Sequence, residues 1–225
     1  MKKLILSYDY ELFFGDKSGT VQKTLIEPTK HLLDSFRKTH LRANFFIDYL
    51  MLKKLKEVND AYTNNDIALI EGQIQQMIVD GHRIELHIHS HWVDAKYLGQ
   101  GVWDFSDFSH YSLTTFSESE IIDMFREGCQ VLESIAQRVQ SGYKIVAFRG
   151  WAIQPFSLFK AAFEAANIKI DSSTASGIYS DNSYSSFDFR NIPSRGTYSF
   201  SNDVCKEAPN GQFIEVPIAS YNRTP

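Results

Sequence analysis

Cysteine is nearly missing from this chain. Cys129 and Cys205 are its only two, far apart and in no CxxC pair. That excludes a disulfide framework and a cysteine-based structural zinc site. It is also the usage of a reduced, cytoplasmic protein, and a cytoplasmic location is the expectation. No segment approaches ~18 consecutive apolar residues, so no transmembrane helix is expected. The start, "MKKLILSYDYELFF", opens with two lysines like a leader peptide. Its apolar run is too short for one, and Asp9 and Glu11 break it. Basic runs are absent too, with a net charge of −4 and a sequence pI near 6.0, so no nucleic acid partner is expected. No glycine-rich phosphate loop follows a strand, which removes the signature of a dinucleotide-binding sheet. No histidine follows His110.

What is present is a core and an alternation. Hydrophobic residues make up 43% of the chain, including 17 Phe, 11 Tyr and 3 Trp. Strand-forming runs at 3–8, "ANFFIDYL", "RIELHIH", "YKIVAF", "IKIDSS" and "QFIEVPIAS" are separated by helical patterns. Pro28 suits the first turn of one helix, and Gly81 suits the C-cap of another whose stripe is Ile67, Ile70, Ile74, Met77 and Ile78. The stretch 117–140 is the longest helix candidate, with acids in its first turn. Residues 92–116 mix aromatics with Asp, Ser and Gly without steady periodicity and read as a long ordered loop. Residues 176–210 also read as loop-rich. Strand–helix alternation predicts a parallel α/β fold in one domain, 1–225. The polar residues with chemical potential, Asp9, Glu11, the histidines, Arg149 and Asp171, all fall where a strand ends. Strand ends converge on one face of a barrel, so a distorted (β/α) barrel is expected over an open sheet.

Four of the seven histidines fall within "GHRIELHIHSHW", residues 81–92. An imidazole-based metal site needs its donors about 2 Å from one ion. His87 and His91 would stand ~13 Å apart on a continuous strand at ~3.3 Å per residue. A turn through Ser90 would bring them to ~6 Å. The other pairing, His87 with His89, puts two imidazoles side by side on one strand face. "SYDYE" supplies two carboxylates, Asp9 and Glu11, at i and i+2. One can bind a metal while the other serves as a base beside metal-activated water. Arg149 can orient that carboxylate or the substrate. His82 follows the helix cap and reads as structural. Asp171 alone fits a turn cap, and Trp103 and Tyr111 alone fit loop packing.

"GHRIELHIHSHW" resembles the second motif of the polysaccharide deacetylases, the NodB-homology or family 4 carbohydrate esterases, through Gly81, His82, Ile84, His87 and His91. "SYDYE" resembles their first motif, "RANFF" their second strand, "AFRG" their arginine motif, and "IKIDSS" a D-S-S segment. The ordered set spans most of the chain. A D-x-E first motif and an aromatic loop after the histidines resemble a subgroup associated with lipopolysaccharide O-antigen biosynthesis. The resemblance implies a distorted (β/α) barrel holding a divalent metal, usually zinc, and hydrolysis of N-acetyl groups on sugars. It implies Asp9 as base and His87 and His91 as ligands. Glu11 becomes the carboxylate ligand, or exchanges roles with Asp9, and Arg149 supports the base. Trp92, Trp103, Tyr111 and Asp171 become substrate contacts. The implied substrate is an acetylated amino sugar or a nucleotide- or lipid-linked glycan precursor. The family closes on a histidine that acts as general acid, and this chain has none there. The acid is then expected from His89 or His110, and the usual closing motif is expected to be missing.

Overall fold

The computed structural model describes residues 4–12, 19–150 and 153–220. The expected strand at 3–8 therefore begins at a residue outside the described set, as does the tail after 220. The chain divides into two compact units, the first 1–110 with 128–145, the second 111–127 with 146–225.

The first unit is built on three parallel strands: β1 (Ser7–Tyr10), β2 (Asn44–Asp48) and β3 (Arg83–His87), in the order β1-β2-β3. Their connections are helical. Between β1 and β2 run a π-helical turn, Val21–Ile26, and α1 (Glu27–Thr39), with Pro28 in its first turn. Between β2 and β3 run α2 (Tyr49–Val58) and α3 (Ala61–Val79). Helix α3 begins with a reciprocal cap, in which Asp60 accepts from the Thr63 amide and Thr63 from the Asp60 amide. It buries Thr63, Asp66, Ile70, Ile74, Met77 and Ile78, while Ile67 is only half-buried. Gly81 then turns the chain at φ +82°, where a side chain would press on Arg42 at 2.7 Å. His82 is structural: its Nδ1 accepts the Ala43 amide at 3.1 Å, and its ring packs on Phe36 and Phe45.

Strand β3 is buried on both faces after Arg83, as expected for a strand covered by helices. The parallel register sets Asp48 beside His87 and Tyr10 beside Ile47. The carboxyl ends of the three strands therefore meet at one edge, the usual ligand edge of a parallel sheet.

The stretch 92–116 is more ordered than its composition suggests. It carries a short hairpin, β4 (Lys96–Gly99) and β5 (Val102–Asp104). Gly99, Gln100 and Gly101 all take positive φ at its turn, which the expectation of a loop overlooked. Helix α4 (Glu118–Ala136) follows close to the expected span.

The second unit has β6 (Ala147–Arg149) parallel to β7 (Ile170–Asp171), with α5 (Lys160–Ala165) between them in sequence. A small hairpin, β8 (Tyr179–Asp181) and β9 (Ser186–Asp188), stands as its own two-stranded sheet. Strand β10 (Tyr198–Phe200) pairs antiparallel with β11 (Phe213–Glu215), which in turn runs parallel to β7. Strands β8, β9 and β10 fall inside the stretch 176–210 that reads as loop, whereas β11 falls within the expected strand "QFIEVPIAS". Phe125, Phe148, Phe156, Phe163, Phe200 and Phe213 form the core, with ring centroids 4.6–5.7 Å apart. The architecture is thus mixed α/β, with parallel pairing prevailing in the first unit and parallel and antiparallel pairs side by side in the second. No helix among the described residues is long and apolar enough to cross a membrane. Both cysteines are free thiols.

Candidate metal centre

The edge where β1, β2 and β3 end is crowded with donors. Glu11 directly follows β1, and His87 closes β3. The backbone stays extended through His89, at φ −102° and ψ 101°, and only then turns through Ser90–Val93. Strand parity consequently holds from His87 to His89, and both imidazoles lie on one face. Their ring centroids are 4.5 Å apart at 87°.

Glu11 ties them together. Its Oε2 lies 2.8 Å from His87 Nε2 and 2.6 Å from His89 Nε2. Donor atoms of Glu11, His87 and His89 all fall within 4.8 Å of one another. The side chain of His87 is buried, whereas those of Glu11 and His89 are about one quarter exposed, at 26% and 22%. Solvent therefore reaches the cluster from the Glu11–His89 side. Burial pushes the Glu11 carboxyl up, but the hydrogen bonds from His87 and His89 and their charges outweigh it and hold it well below the usual range. Glu11 is a carboxylate at any ordinary pH.

His91 comes next around the turn. Its ring stands 5.0 Å from that of His89 and packs edge-on against Phe105 at 5.4 Å. Burial, with the charge of His89 adding to it, lowers its pKa to about 3, so the imidazole is neutral. The structure thus groups Glu11 and His87 with His89, and places His91 one ring beyond.

Asp9 sits two residues before Glu11, exposed on β1 and in register with Phe46. Trp92 and Trp103 are both buried and meet edge to face at 5.1 Å, with Phe105 at 4.9 Å from Trp92. His110 Nδ1 lies 2.9 Å from Asp94 Oδ1, and its amide donates to Asp94 Oδ2. Arg149, Asp171 and Tyr111 belong to the second unit. Arg149 is buried and gives hydrogen bonds to the Ser172 carbonyl and hydroxyl at 3.0 and 3.1 Å. Tyr111 meets Tyr184 edge-on at 6.0 Å.

Two acids at strand ends escaped the sequence reading. Asp48 ends β2 fully buried, and its Oδ1 accepts the His89 amide at 3.2 Å, which fixes the backbone of a cluster member. Burial pushes its pKa up to about 7, against the opposing charge of His89. Its signal was available: "FFID" ends in a carboxylate just as "SYDYE" does. Glu215 is the register partner of Asp171, and both are fully buried. Ser173 Oγ donates to Asp171 and Thr174 Oγ1 to Glu215, at 2.6 and 2.7 Å. Burial raises both carboxyls, and Glu215 is raised further by Asp171, so the pair retains a proton. Only the pairing of two strands distant in sequence reveals that couple.

Two imidazole nitrogens and one carboxylate oxygen are the donor set of catalytic zinc sites, which keep a further position open for water or substrate. The partly exposed Glu11–His89 side leaves room for such a position. The residues present therefore fit a divalent ion.

No protein-family model matches the chain, and comparison with curated proteins gave no match. Among solved structures it overlaps a family 4 acetyl xylan esterase from Clostridium thermocellum in complex with cobalt. The identity there is 14%, over 77% of this chain and 58% of that one, with a TM-score of 0.37. It overlaps the polysaccharide deacetylase Bc1974 from Bacillus cereus at 12% identity, 77% and 60% coverage and a TM-score of 0.41. It also overlaps the Bc1960 peptidoglycan N-acetylglucosamine deacetylase at 17% identity, 78% and 60% coverage and a TM-score of 0.42. The chain spans about 58–60% of the length of these neighbours, all of them deacetylases or esterases.

Proposed function

We propose that this protein is a divalent-metal-dependent hydrolase that removes an N-acetyl group from an amino sugar. The observation that carries the proposal is the convergence of Glu11, His87 and His89 within 4.8 Å at the carboxyl edge of three parallel strands. The order of motifs from "SYDYE" to "IKIDSS" supports it. In this proposal Glu11 and His87 hold the ion with His89, and His91 is the alternative to His89. Zinc suits two imidazoles and a carboxylate.

When bound, such an ion polarises an amide carbonyl and lowers the pKa of water. The protein's own groups do the rest. Glu11 is already ionised in the metal-free protein, where the two imidazoles hold its pKa down, and so enters the donor set as a carboxylate. Asp9, exposed and two residues upstream, is the base that takes a proton from the attacking water. With His89 drawn into the donor set, His110 is the remaining histidine to protonate the leaving amine, positioned by Asp94. Asp48 fixes the His89 backbone. Arg149 and Asp171 are assigned supporting roles, and Tyr111 a sugar contact, by the motif resemblance. Trp92 and Trp103 are buried, at 0% and 6% exposure, so the sugar contact that the motif resemblance assigns them is not kept. A single deacetylase-like domain closing as a distorted barrel, a cytoplasmic location, an O-antigen precursor as substrate and its nucleotide or lipid linkage belong to the same proposal.

The test is metal content with acetate release. Purified protein should hold one metal per chain and release acetate from N-acetylglucosamine oligomers or a nucleotide-linked N-acetyl sugar. His87→Ala and His89→Ala should lose the metal, while His91→Ala keeps it. Loss in His91→Ala with retention in His89→Ala would reassign the ligand. A metal-replete protein that frees no acetate from any of these sugars would refute the deacetylase activity.

A further inference from the structure

The second unit contains a cavity of about 910 Å³ that none of the metal-centre residues lines. Such a volume falls in the upper part of the ~300–1,000 Å³ range of small-molecule sites. Its wall is the β8–β9 hairpin, and its chemistry is unusual for a surface hollow.

Two tyrosines on the hairpin are 57% and 54% exposed, Tyr179 and Tyr184, yet both are held in place. Arg190 grips Asp188 with two hydrogen bonds, at 2.9 and 2.6 Å, and lays its guanidinium 4.3 Å from the Tyr179 ring centre. Asn182 Oδ1 accepts the amides of Tyr184 and Ser185 at 2.9 and 3.0 Å, which locks the turn that carries Tyr184. Gln154 Oε1 accepts the Asp188 amide at 2.8 Å and braces the hairpin from beneath.

The remainder of the wall is dense in short polar groups: Ser180, Ser183 and Ser186, with Asn182 and Asp181 among them. Some of these groups already pair with one another, as Asn182 Nδ2 does with Ser180 Oγ and Ser186 Oγ with Asp181, but an apolar ligand would strip water from the hydrogen-bonding capacity they keep in reserve and bind poorly. A polyanion would meet Asp181, Asp188 and Asp203 against one guanidinium, which Asp188 already neutralises. A sugar ring satisfies both demands. Its C–H face covers a tyrosine, and its hydroxyls pair with serine, amide and carboxylate groups.

We propose that this hairpin cavity is a saccharide-binding site that takes neutral or cationic amino-sugar oligomers, with Tyr179 and Tyr184 as its stacking platforms. The inference stands on the second unit alone and needs no metal.

Calorimetric titration of the full chain with trimers of N-acetylglucosamine, glucosamine and xylose, in the presence of a chelator, tests it. At least one trimer should bind, with the cationic one favoured at low salt and losing that advantage as salt rises. Tyr179→Ala and Tyr184→Ala should each weaken binding about tenfold, the scale of one lost stacking contact. Tyr179→Phe should keep it. Ser183→Trp, which fills the cavity without removing a support of the hairpin, should also weaken binding. The proposal is overturned if no trimer binds at millimolar concentration, or if both alanine variants and Ser183→Trp bind like the wild type. Because the chelator removes any metal, neither result depends on the fate of the metal centre.

Discussion

Asp66 is a buried acid that no step of the proposed chemistry uses, and its cost to the fold can be worked out. It lies on the inner stripe of α3 at 3% exposure, in line with Ile70 and Ile74, and its Oδ2 has no hydrogen-bond partner. Burial, with a smaller push from Asp60, raises its pKa from 3.8 to about 6. The folded state thus binds this proton more tightly than the unfolded chain does. The stability it confers is fully present below 3.8 and is lost as pH rises through about 6. At 1.36 kcal/mol per tenfold change in proton affinity, the loss near pH 7 reaches ~3 kcal/mol. Asp66→Asn removes the charge but leaves a buried amide, which returns ~1 kcal/mol of that gain. The variant should therefore be ~2 kcal/mol more stable than wild type near neutral pH, and no more stable near pH ~4. Urea unfolding across this range, followed by tryptophan fluorescence, reads the first unit through the buried Trp92 and Trp103. A gap that does not change with pH, or a variant less stable at neutral pH, refutes the argument.

Other perturbations have equally definite signs. Added zinc or cobalt should stabilise the wild type by ~2.7 kcal/mol at a hundredfold excess over its dissociation constant, raising its unfolding midpoint, and leave His87→Ala unmoved. A midpoint shift retained in that variant would place the ion elsewhere. Glu215→Gln removes one of two coupled carboxyls whose pKa values are raised by burial, so stability should fall less steeply as pH climbs above 4.5 than in wild type. Denaturation midpoints on both sides of that pH check it, and identical slopes count against the shared proton. A methyl group on Gly128 of α4 would meet Leu86 Cδ1 at 2.7 Å and the Tyr49 ring at 3.1 Å. Overpacking of ~1–3 kcal/mol outweighs the ~1 kcal/mol that alanine adds to a helix, so Gly128→Ala should destabilise by about 1 kcal/mol net. Since Leu86 precedes His87, its metal occupancy measured alongside should fall as well.

Much of the first unit was legible because its signals are local. Apolar runs bounded by helix caps locate β1, β2 and β3, and their parallel pairing follows from the helices between them. The hairpins were not legible. Strands β4 and β5 are three or four residues long, too short to show alternation, and their aromatics pack inward on each other. Their signal lay in the glycines at the turn. Strands β10 and β11 define their environment through pairing across sequence, so the burial of Glu215 beside Asp171 could not be read from either segment alone.

The histidines show where sequence spacing stops and backbone conformation decides. Four residues apart, His87 and His91 share a donor site only if the chain has already turned between them. Two residues apart, His87 and His89 share one only if it has not. The hydrogen bond from the His89 amide to Asp48 acts at this branch point. It anchors His89 to the end of β2 and keeps the backbone extended for two residues past the last ladder pair, so that the turn starts at Ser90. Asp48 thereby sets which imidazole reaches Glu11, although it touches no metal in the proposed set. Asp48→Ala frees that amide and lets the turn begin earlier. Metal binding should then weaken, and the residual affinity should become sensitive to His91→Ala, which leaves the wild type unaffected. A double-mutant cycle over Asp48→Ala and His91→Ala measures this coupling directly, and strict additivity of the two changes would show that Asp48 does not govern the choice.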